Sequence, residues 1–422
     1  MEKFHLIGIK GTGMSALAAI LHDLGFEVSG SDVEDEYFTS KKLRMKGLKY
    51  TLFDIDNIAD DKIYIASSVY DSDNIEVREV LRKNYLFYYY HEFIELFFNN
   101  KIGISGTHGK TTTTSMITKL FENEKIAYLI GDGTGGAIKG YEHFIFEACE
   151  YQNHFLKYNY KYLVINNIDF DHPDFFDSIN EVVSSFQKAA DNAEYLIINN
   201  DDKNCKLIKH NNKFTFGFSE DSNLRATILK VHSNGYTIKV DLEEKHFQYY
   251  LPFVGIHMIY NFLASLAVYY LNNLNFDDVQ DLILTYKRPS RRMEETFYYD
   301  NIIIDDYAHH PVEIKACIDG IVQKYPNKEI VIIFQPHTYS RTLALKDEFM
   351  KVFKGRELYL VRTFTSKREG VNKQLEKQVF KIFGNPKMFR EKDIKTLKKL
   401  NNKVILFLGA GNLDKYISRL IQ

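Results

Sequence analysis

The residues best equipped for chemistry form one run: Ile102-Gly103-Ile104-Ser105-Gly106-Thr107-His108-Gly109-Lys110-Thr111-Thr112. A short apolar stretch ends in a glycine-punctuated turn, then Lys-Thr, then helical spacing from Thr113 to Phe121. Backbone N–H groups at a helix N-terminus face an anion. A lysine there neutralises the outer phosphates, and the hydroxyl after it can hold Mg²⁺. The usual spacing would put a glycine where Ile104 stands, so this is a shortened form, G-x-x-G-K-T. A Gly/Thr-rich turn before an ordinary helix is the bland alternative. The order of strand, glycines, Lys-Thr and helix favours a nucleoside triphosphate.

A second glycine turn, Gly8-Ile9-Lys10-Gly11-Thr12-Gly13, follows the apolar run Phe4-His5-Leu6-Ile7 and precedes a helix expected from Met14 to Leu24. Asp32 lies about twenty residues past these glycines, where dinucleotide-type folds place an acid for a ribose hydroxyl. The glycine order is G-x-x-G-x-G, so a tight turn before a packed helix fits equally well. Further on, Glu147 and Cys149 share one side of an apolar strand by period-two alternation, with Glu150 at or past its end. A carboxylate so placed after a phosphate loop is a natural Mg²⁺ ligand, a structural ion pair being the alternative. Asn167-Ile168-Asp169-Phe170-Asp171-His172-Pro173-Asp174 concentrates acids around one histidine, as a second metal position or a solvated turn. Asp305-Asp306-Tyr307-Ala308-His309-His310-Pro311 and Gln335-Pro336-His337-Thr338-Tyr339-Ser340-Arg341 complete the set, and arginine suits carboxylate recognition.

These clusters need strands to hold them, and they recur where an apolar strand stops: Ser105, Glu147, Asn167, Asp305-Asp306, Gln335 and Gly409-Ala410-Gly411. Ligands of open parallel α/β sheets bind outside the carboxyl ends of the strands, so an extended site between domains is expected. Ile63 to Ser68 and Tyr85 to Tyr90 read as further buried runs, residues 225–251 as short antiparallel strands, and Ile259 to Leu271 as a helix. Arg288-Pro289-Ser290-Arg291-Arg292 is a plausible linker before a third α/β unit starting at Ile302. At 422 residues the chain exceeds one ordinary core. Its 54 basic and 56 acidic residues offer no general attraction to nucleic acid or an anionic membrane. No segment is apolar enough to span a bilayer, and three scattered cysteines without C-x-x-C fit a reducing, cytoplasmic setting.

Taken together, the segments resemble the Mur ligase family over nearly the whole chain. They are G-I-K-G-T-G-M-S (8–15), S-G-S-D (29–32), G-T-H-G-K-T-T-T-T (106–114), F-E-A-C-E-Y (146–151), N-I-D-F-D-H-P-D (167–174), R-R-M-E-E-T (291–296), D-D-Y-A-H-H-P-V-E-I (305–314), Q-P-H-T-Y-S-R-T (335–342) and F-L-G-A-G (407–411). The phosphate loop is general to the family. G-x-x-G-T-G-M-S, D-D-Y-A-H-H-P and Q-P-H-x-x-S-R-T resemble the branch that joins L-alanine to UDP-N-acetylmuramate.

The resemblance implies a Rossmann-like N-terminal domain for the UDP-sugar (1–99), a central phosphate-loop domain for ATP (100–290) and a Rossmann-like C-terminal domain meeting the amino acid (291–422). It implies that Gly11, Thr12, Gly13, Met14 and Ser15, with Asp32 and Ser67, hold the UDP-sugar. Gly106, Thr107, His108, Gly109, Lys110, Thr111, Thr112, His257, Asn261, Arg292 and Asp305 would bind ATP. Thr111 and Glu147 would take one Mg²⁺, and His172 a second. His309, His337 and Arg341 would shape the amino-acid site, either histidine serving as base. The chain departs from the family's G-x-H-N-x-x-N at Met258; Gln187 stands beside Lys188 in the region where sister ligases carry a carbamylated lysine, and none is assigned here. The implied activity is cytoplasmic, ATP-dependent amide-bond formation through an acyl phosphate in peptidoglycan biosynthesis, by a monomer or homodimer acting on small molecules. A ligase recycling a tripeptide onto the same sugar nucleotide and a non-catalytic nucleotide-binding regulator remain alternatives.

Overall fold

A computed structural model describes residues 2–365 and 369–422. The chain builds three α/β units, each with its own sheet. The first sheet is fully parallel, with Lys3–Ile7 flanked by Glu27–Asp32 on one side and Ile63–Ala66 on the other. Lys49–Leu52 and Phe87–Tyr89 form its edges. Strand order therefore reverses around Lys3–Ile7, and the glycine turn leaves from this switch point. The helix after it runs Thr12–Asp23, starting two residues earlier than its apolar spacing predicts because Gly11 supplies the N-cap.

The second sheet has ten strands. Lys101–Ser105, buried throughout, lies between Tyr160–Ile165 and His143–Glu147, all parallel. A strand buried on both faces must be apolar along its whole length, and this one is. The expected antiparallel stretch is present as Leu224–His232, Gly235–Leu242 and Lys245–Leu251. The helix expected from Ile259 extends over Ile256–Leu271, entered through Gly255 in a positive-φ conformation. The third sheet is parallel except for its edge strand Glu294–Tyr298, which pairs antiparallel with Asn301–Asp306.

The first two units are not separated by a solvent gap. One apolar cluster runs from Phe4, Leu17 and Phe93 into Phe144, Phe155 and Leu163, with Phe98 stacked on Phe144 at 3.9 Å between ring centres. The helix Thr12–Asp23 lies against the glycine strand Gly135–Ala137 so closely that a Cβ on Gly135 would stand 2.2 Å from the Ala16 carbonyl oxygen. The third unit has its own core, on both faces of its sheet. Residues that follow strands of all three sheets, among them Thr12, Lys110, Asp171, Tyr307 and His337, line one shared cavity.

Candidate functional site

The phosphate loop leaves Lys101–Ser105 through Gly106 at φ 135° and enters the helix Lys110–Leu120 through Gly109 at φ 80°. Both torsions disfavour a side chain, and a Cβ on Gly109 would also stand 2.8 Å from Asn261 Oδ1. The strand end Asn166–Asp169 fixes the loop from the side. Thr107 N donates to the Asn167 carbonyl at 3.1 Å, and His108 N to Asn167 Oδ1 at 2.8 Å. Lys110 is folded back: its ammonium donates to the Gly106 and Thr107 carbonyls and pairs with Glu150 at 2.9 Å. Burial alone would lower the Lys110 pKa, but Glu150 outweighs it and the ammonium is held. Thr111 donates to Glu147 Oε2 at 2.8 Å, so the two expected ligands of one Mg²⁺ already face each other.

A cavity of about 340 Å³ lies over this loop, with walls from all three units. The first contributes Thr12 and Phe38. The second gives Lys110, Thr111, Glu147, Cys149, Glu150, Asp171 and His172. The third adds Tyr307, His309, His337 and Arg341, with Arg292 from the segment that leads into it. The structure thus gathers every residue expected to carry the reaction. Beside it lies a second cavity of about 270 Å³, lined by His108, Thr112, His257, Met258, Asn261, Arg292 and Asp306. Asn261 accepts from Thr113 at 3.1 Å, and its amide nitrogen faces the Met258 sulfur at 3.8 Å. The methionine at the departure from the family pattern therefore still touches the side chain it would normally accompany.

Several expectations change. Asp305 does not face the nucleotide-side cavity; Asp306 does, because neighbours on a strand point to opposite faces. Asp305 accepts from Arg291 at 3.1 Å and lines another cavity, of about 740 Å³, walled by the first and third units and by Gly133–Gly135 of the second. Burial lifts its carboxyl to about 6, despite Arg291. Arg341 is not open to an incoming carboxylate, since it forms a two-point pair with Asp171, Nε–Oδ1 at 2.7 Å and Nη2–Oδ2 at 3.3 Å. Burial opposes charge on Asp171, but Arg341 holds its pKa well below the carboxylate range.

In the first unit, Asp32 is taken up by the glycine turn itself, accepting from Lys10 N at 2.7 Å and Val33 N at 2.8 Å. The Met14 side chain is core, and Ser15 faces the large cavity. Thr12 is the glycine-turn residue that reaches the reaction cavity, while a side chain on Gly13 would strike Tyr90 at 2.9 Å. Ser67 ends its strand beside Gly8, its N–H bonded to the Ile7 carbonyl.

The two candidate bases separate by tautomer. His309 Nδ1 lies 3.0 Å from the Tyr307 carbonyl, an acceptor, so this nitrogen carries the proton and Nε2 keeps its lone pair. Burial, then Arg341, lowers its pKa to about 4. His337 Nδ1 instead accepts from the Arg341 guanidinium, which uses its lone pair. Thr338, next to it, sits at φ 64° and ψ 145°, a strained backbone for a β-branched residue and a common companion of functional sites.

His108, Asp169 and His310 are the group of ligand-type side chains, among the described residues, whose atoms converge within 4.8 Å. The His310 Nδ1 accepts from Val312 N at its helix cap. His108 lies between Asp169 at 3.7 Å and Glu313 at 3.6 Å. Burial disfavours its charge, but these carboxylates lift it to about 9. The cluster is best described as an ion-pair network tying the phosphate loop to the third unit. Sequence reasoning missed Glu150, Asp171 and Glu313. Glu150 closes the E-A-C-E run and Glu313 lies one helical turn past His309, but the partner of Asp171 is 170 residues away.

Family models match along almost the entire chain. "Mur ligase family, catalytic domain" covers residues 3–101, "Mur ligase middle domain" 104–269 and "Mur ligase, glutamate ligase domain" 291–411. The fold is similar to UDP-N-acetylmuramate-alanine ligase MurC from Thermotoga maritima, with a TM-score of 0.80 at 23% identity, covering 100% of this chain and 98% of that one. It is also similar to a murein peptide ligase from Psychrobacter arcticus (TM-score 0.74, 18% identity, 100% and 98% covered). A pseudomurein peptide ligase type C from Methanothermus fervidus gives a TM-score of 0.69 at 18% identity, with 100% of both chains covered. The chain belongs to the Mur ligase family, ATP-dependent ligases that form amide bonds on peptidoglycan precursors. Among the described residues, no helix is long and apolar enough to cross a membrane.

Proposed function

We propose that this chain joins L-alanine to UDP-N-acetylmuramate at the expense of ATP, in the cytoplasm. The observation that carries the reading is the reaction cavity, where the phosphate loop of the second unit meets Thr12 of the first and His309 of the third. Residues 1–99 would hold the UDP-sugar, 100–290 ATP, and 291–422 the amino acid. The choice of L-alanine rests on the branch motifs at 8–15, 305–311 and 335–342. Among ATP contacts, Asp306 replaces Asp305, with His257 and Asn261 lining the nucleotide side.

The chemistry follows from charge. A muramate carboxylate oxygen attacks the γ-phosphorus of ATP and ADP leaves; both reactants are anions, so their approach needs fixed positive charge. Lys110, released from Glu150, turns outward to the phosphates. The residues fit Mg²⁺: Thr111 and Glu147 stand hydroxyl to carboxylate, and Gly131 lets the backbone pass this carboxylate, where a Cβ would collide at 2.1 Å from Glu147 Oε2. When bound there and at His172, Mg²⁺ would neutralise phosphate charge. The alanine nitrogen then attacks the acyl carbon, phosphate leaves, and His309 Nε2 accepts the amine proton. Arg341 keeps Asp171 and His337 in place around this step instead of binding substrate.

A peptide amine is the second reading. One observation favours it: the 740 Å³ cavity shares Phe38, Ser290 and Arg291 with the reaction cavity, leaving room for a longer amine. Phosphate release with ATP and UDP-N-acetylmuramate distinguishes the two. L-Alanine should start turnover, and little phosphate should form without it because the acyl phosphate is held from water. Turnover with a tripeptide but not with L-alanine would transfer the function to the second reading. Equal release with and without any amine would make the protein an ATPase or a regulator.

A further inference from the structure

We propose that Glu313 is a positioning residue that joins the amine step to the nucleotide: one oxygen of its carboxylate supports the base His309, and the other holds His108 of the phosphate loop. The inference rests on the reading of His309 as the base. Glu313 stands at the third position of the helix Pro311–Lys324, where it closes a capping box with His310. Its Oε2 accepts from His309 N at 3.2 Å and His310 N at 3.4 Å, and lies 3.6 Å from His309 Nδ1. The cap asks no more of it than the backbone contact. Yet Oε1 turns the other way, to 3.6 Å from His108 Nδ1 and 4.0 Å from Arg292 Nη1. Gly109, Arg292 and Glu313 accordingly line both the reaction cavity and the nucleotide-side cavity. Burial opposes charge on Glu313, but His309, His108 and Arg292 hold its pKa well below the carboxylate range.

That charge matters at one moment. When His309 Nε2 takes the amine proton, an imidazolium forms inside a closed site. Burial and Arg341 both oppose this cation. The Tyr307 carbonyl fixes the Nδ1–H tautomer but brings no net charge. Asp171 is spent on Arg341. Glu313 stands on the Nδ1 side, the place a buried acid takes behind a general-base histidine. Its other oxygen meanwhile steadies the histidine inside the phosphate loop. Loss of the charge should therefore be felt twice, as a weaker base and as a looser loop. Glutamine tests this cleanly, because it keeps an oxygen for the two backbone N–H groups and removes only the charge.

Steady-state turnover of E313Q with ATP and UDP-N-acetylmuramate, at saturating amine, separates this role from a structural one. Two amines are compared: L-alanine, which must shed a proton, and hydroxylamine, which is largely neutral at neutral pH and traps the acyl phosphate as a hydroxamate. With L-alanine kcat should fall about a hundredfold, the scale of general-base assistance, and with hydroxylamine it should stay within about threefold. KM for ATP should rise severalfold, while KM for UDP-N-acetylmuramate stays the same. On an H309Q background, adding E313Q should cost L-alanine turnover nothing further, because the charge acts through that imidazole. If E313Q does not fold, as judged by circular dichroism, E313D withdraws the charge from His309 and is measured in the same way. Equal losses with both amines, unchanged turnover with L-alanine, or an unchanged KM for ATP would overturn the proposal. Full L-alanine turnover by H309Q alone would instead overturn the reading of His309 as base.

Discussion

At the scale of single residues, charge and burial decide what each group can do. Lys110 is protonated by its surroundings, so its substitution removes a charge that nothing else on the loop replaces. Lys110→Ala should lower kcat/KM for ATP by about a thousandfold, the scale of losing one preorganised charge at a developing anion. Phosphate release measures it, and circular dichroism should show an unchanged fold. Cys149 lines the same cavity, and burial, then Glu150, pushes its thiol up to about 12. Alkylation should therefore be slow in the free protein, slower still with Mg-ATP, and inhibitory, because an adduct would crowd Glu147. Peptide mass spectrometry follows it; rapid labelling with activity retained would place the thiol away from the reaction. The sequence made Lys110, Thr111, Glu147 and His172 legible because loop chemistry is local. It left Glu150 without a role, since a run of residues cannot show which ammonium lies across it.

At the scale of elements, strand alternation and long-range pairing set what local motifs leave open. Asp305 and Asp306 are adjacent, and the family resemblance assigned the nucleotide contact to Asp305. The pleat sends one toward the nucleotide-side cavity and the other toward Arg291 and the large cavity. Strand ends and the antiparallel stretch at 225–251 were readable from apolar runs and alternation. The pairing of Arg341 with Asp171 was not, because nothing in either motif indicates a partner in another unit. This pair bridges the turn after Tyr160–Ile165 and the helix Tyr339–Ala344. Arg341→Ala or Asp171→Asn should each cost about 3–5 kcal/mol, and the double variant far less than their sum, since each single change leaves a buried charge alone. A double-mutant cycle on denaturant unfolding reads the coupling. Additive losses would mean that the two residues act separately.

At the scale of the whole molecule, the contacts between units titrate. His108 keeps its proton up to about 9 in the folded chain, against an ordinary value of 6.5. Its contribution is complete below pH 6.5 and is lost as pH rises toward 9. His257, His309 and His310 behave oppositely: burial lowers each to about 4, so they stay neutral when folded. The unfolded chain takes up those protons below 6.5, and stability falls as pH drops from there toward 4. Denaturation midpoints across this range should peak between the two limbs, and His108→Asn should flatten the alkaline one. An unchanged alkaline limb would show that the loop network carries no titrating charge.

The segment joining the second and third units has a consequence of its own. Arg288 faces the nucleotide-side cavity, Ser290 and Arg291 the reaction cavity, and Arg292 both, with Arg291 and Met293 in left-handed backbone on either side of it. The tether is thus also a wall. Any rotation about it rearranges the surface a ligand touches, so part of each ligand's binding free energy is work done on the joint. Measured affinities would then report the intrinsic contact divided by the fraction of chains whose joint is already set. Substitutions that only stiffen this segment would tighten or weaken every substrate together, without touching one of them.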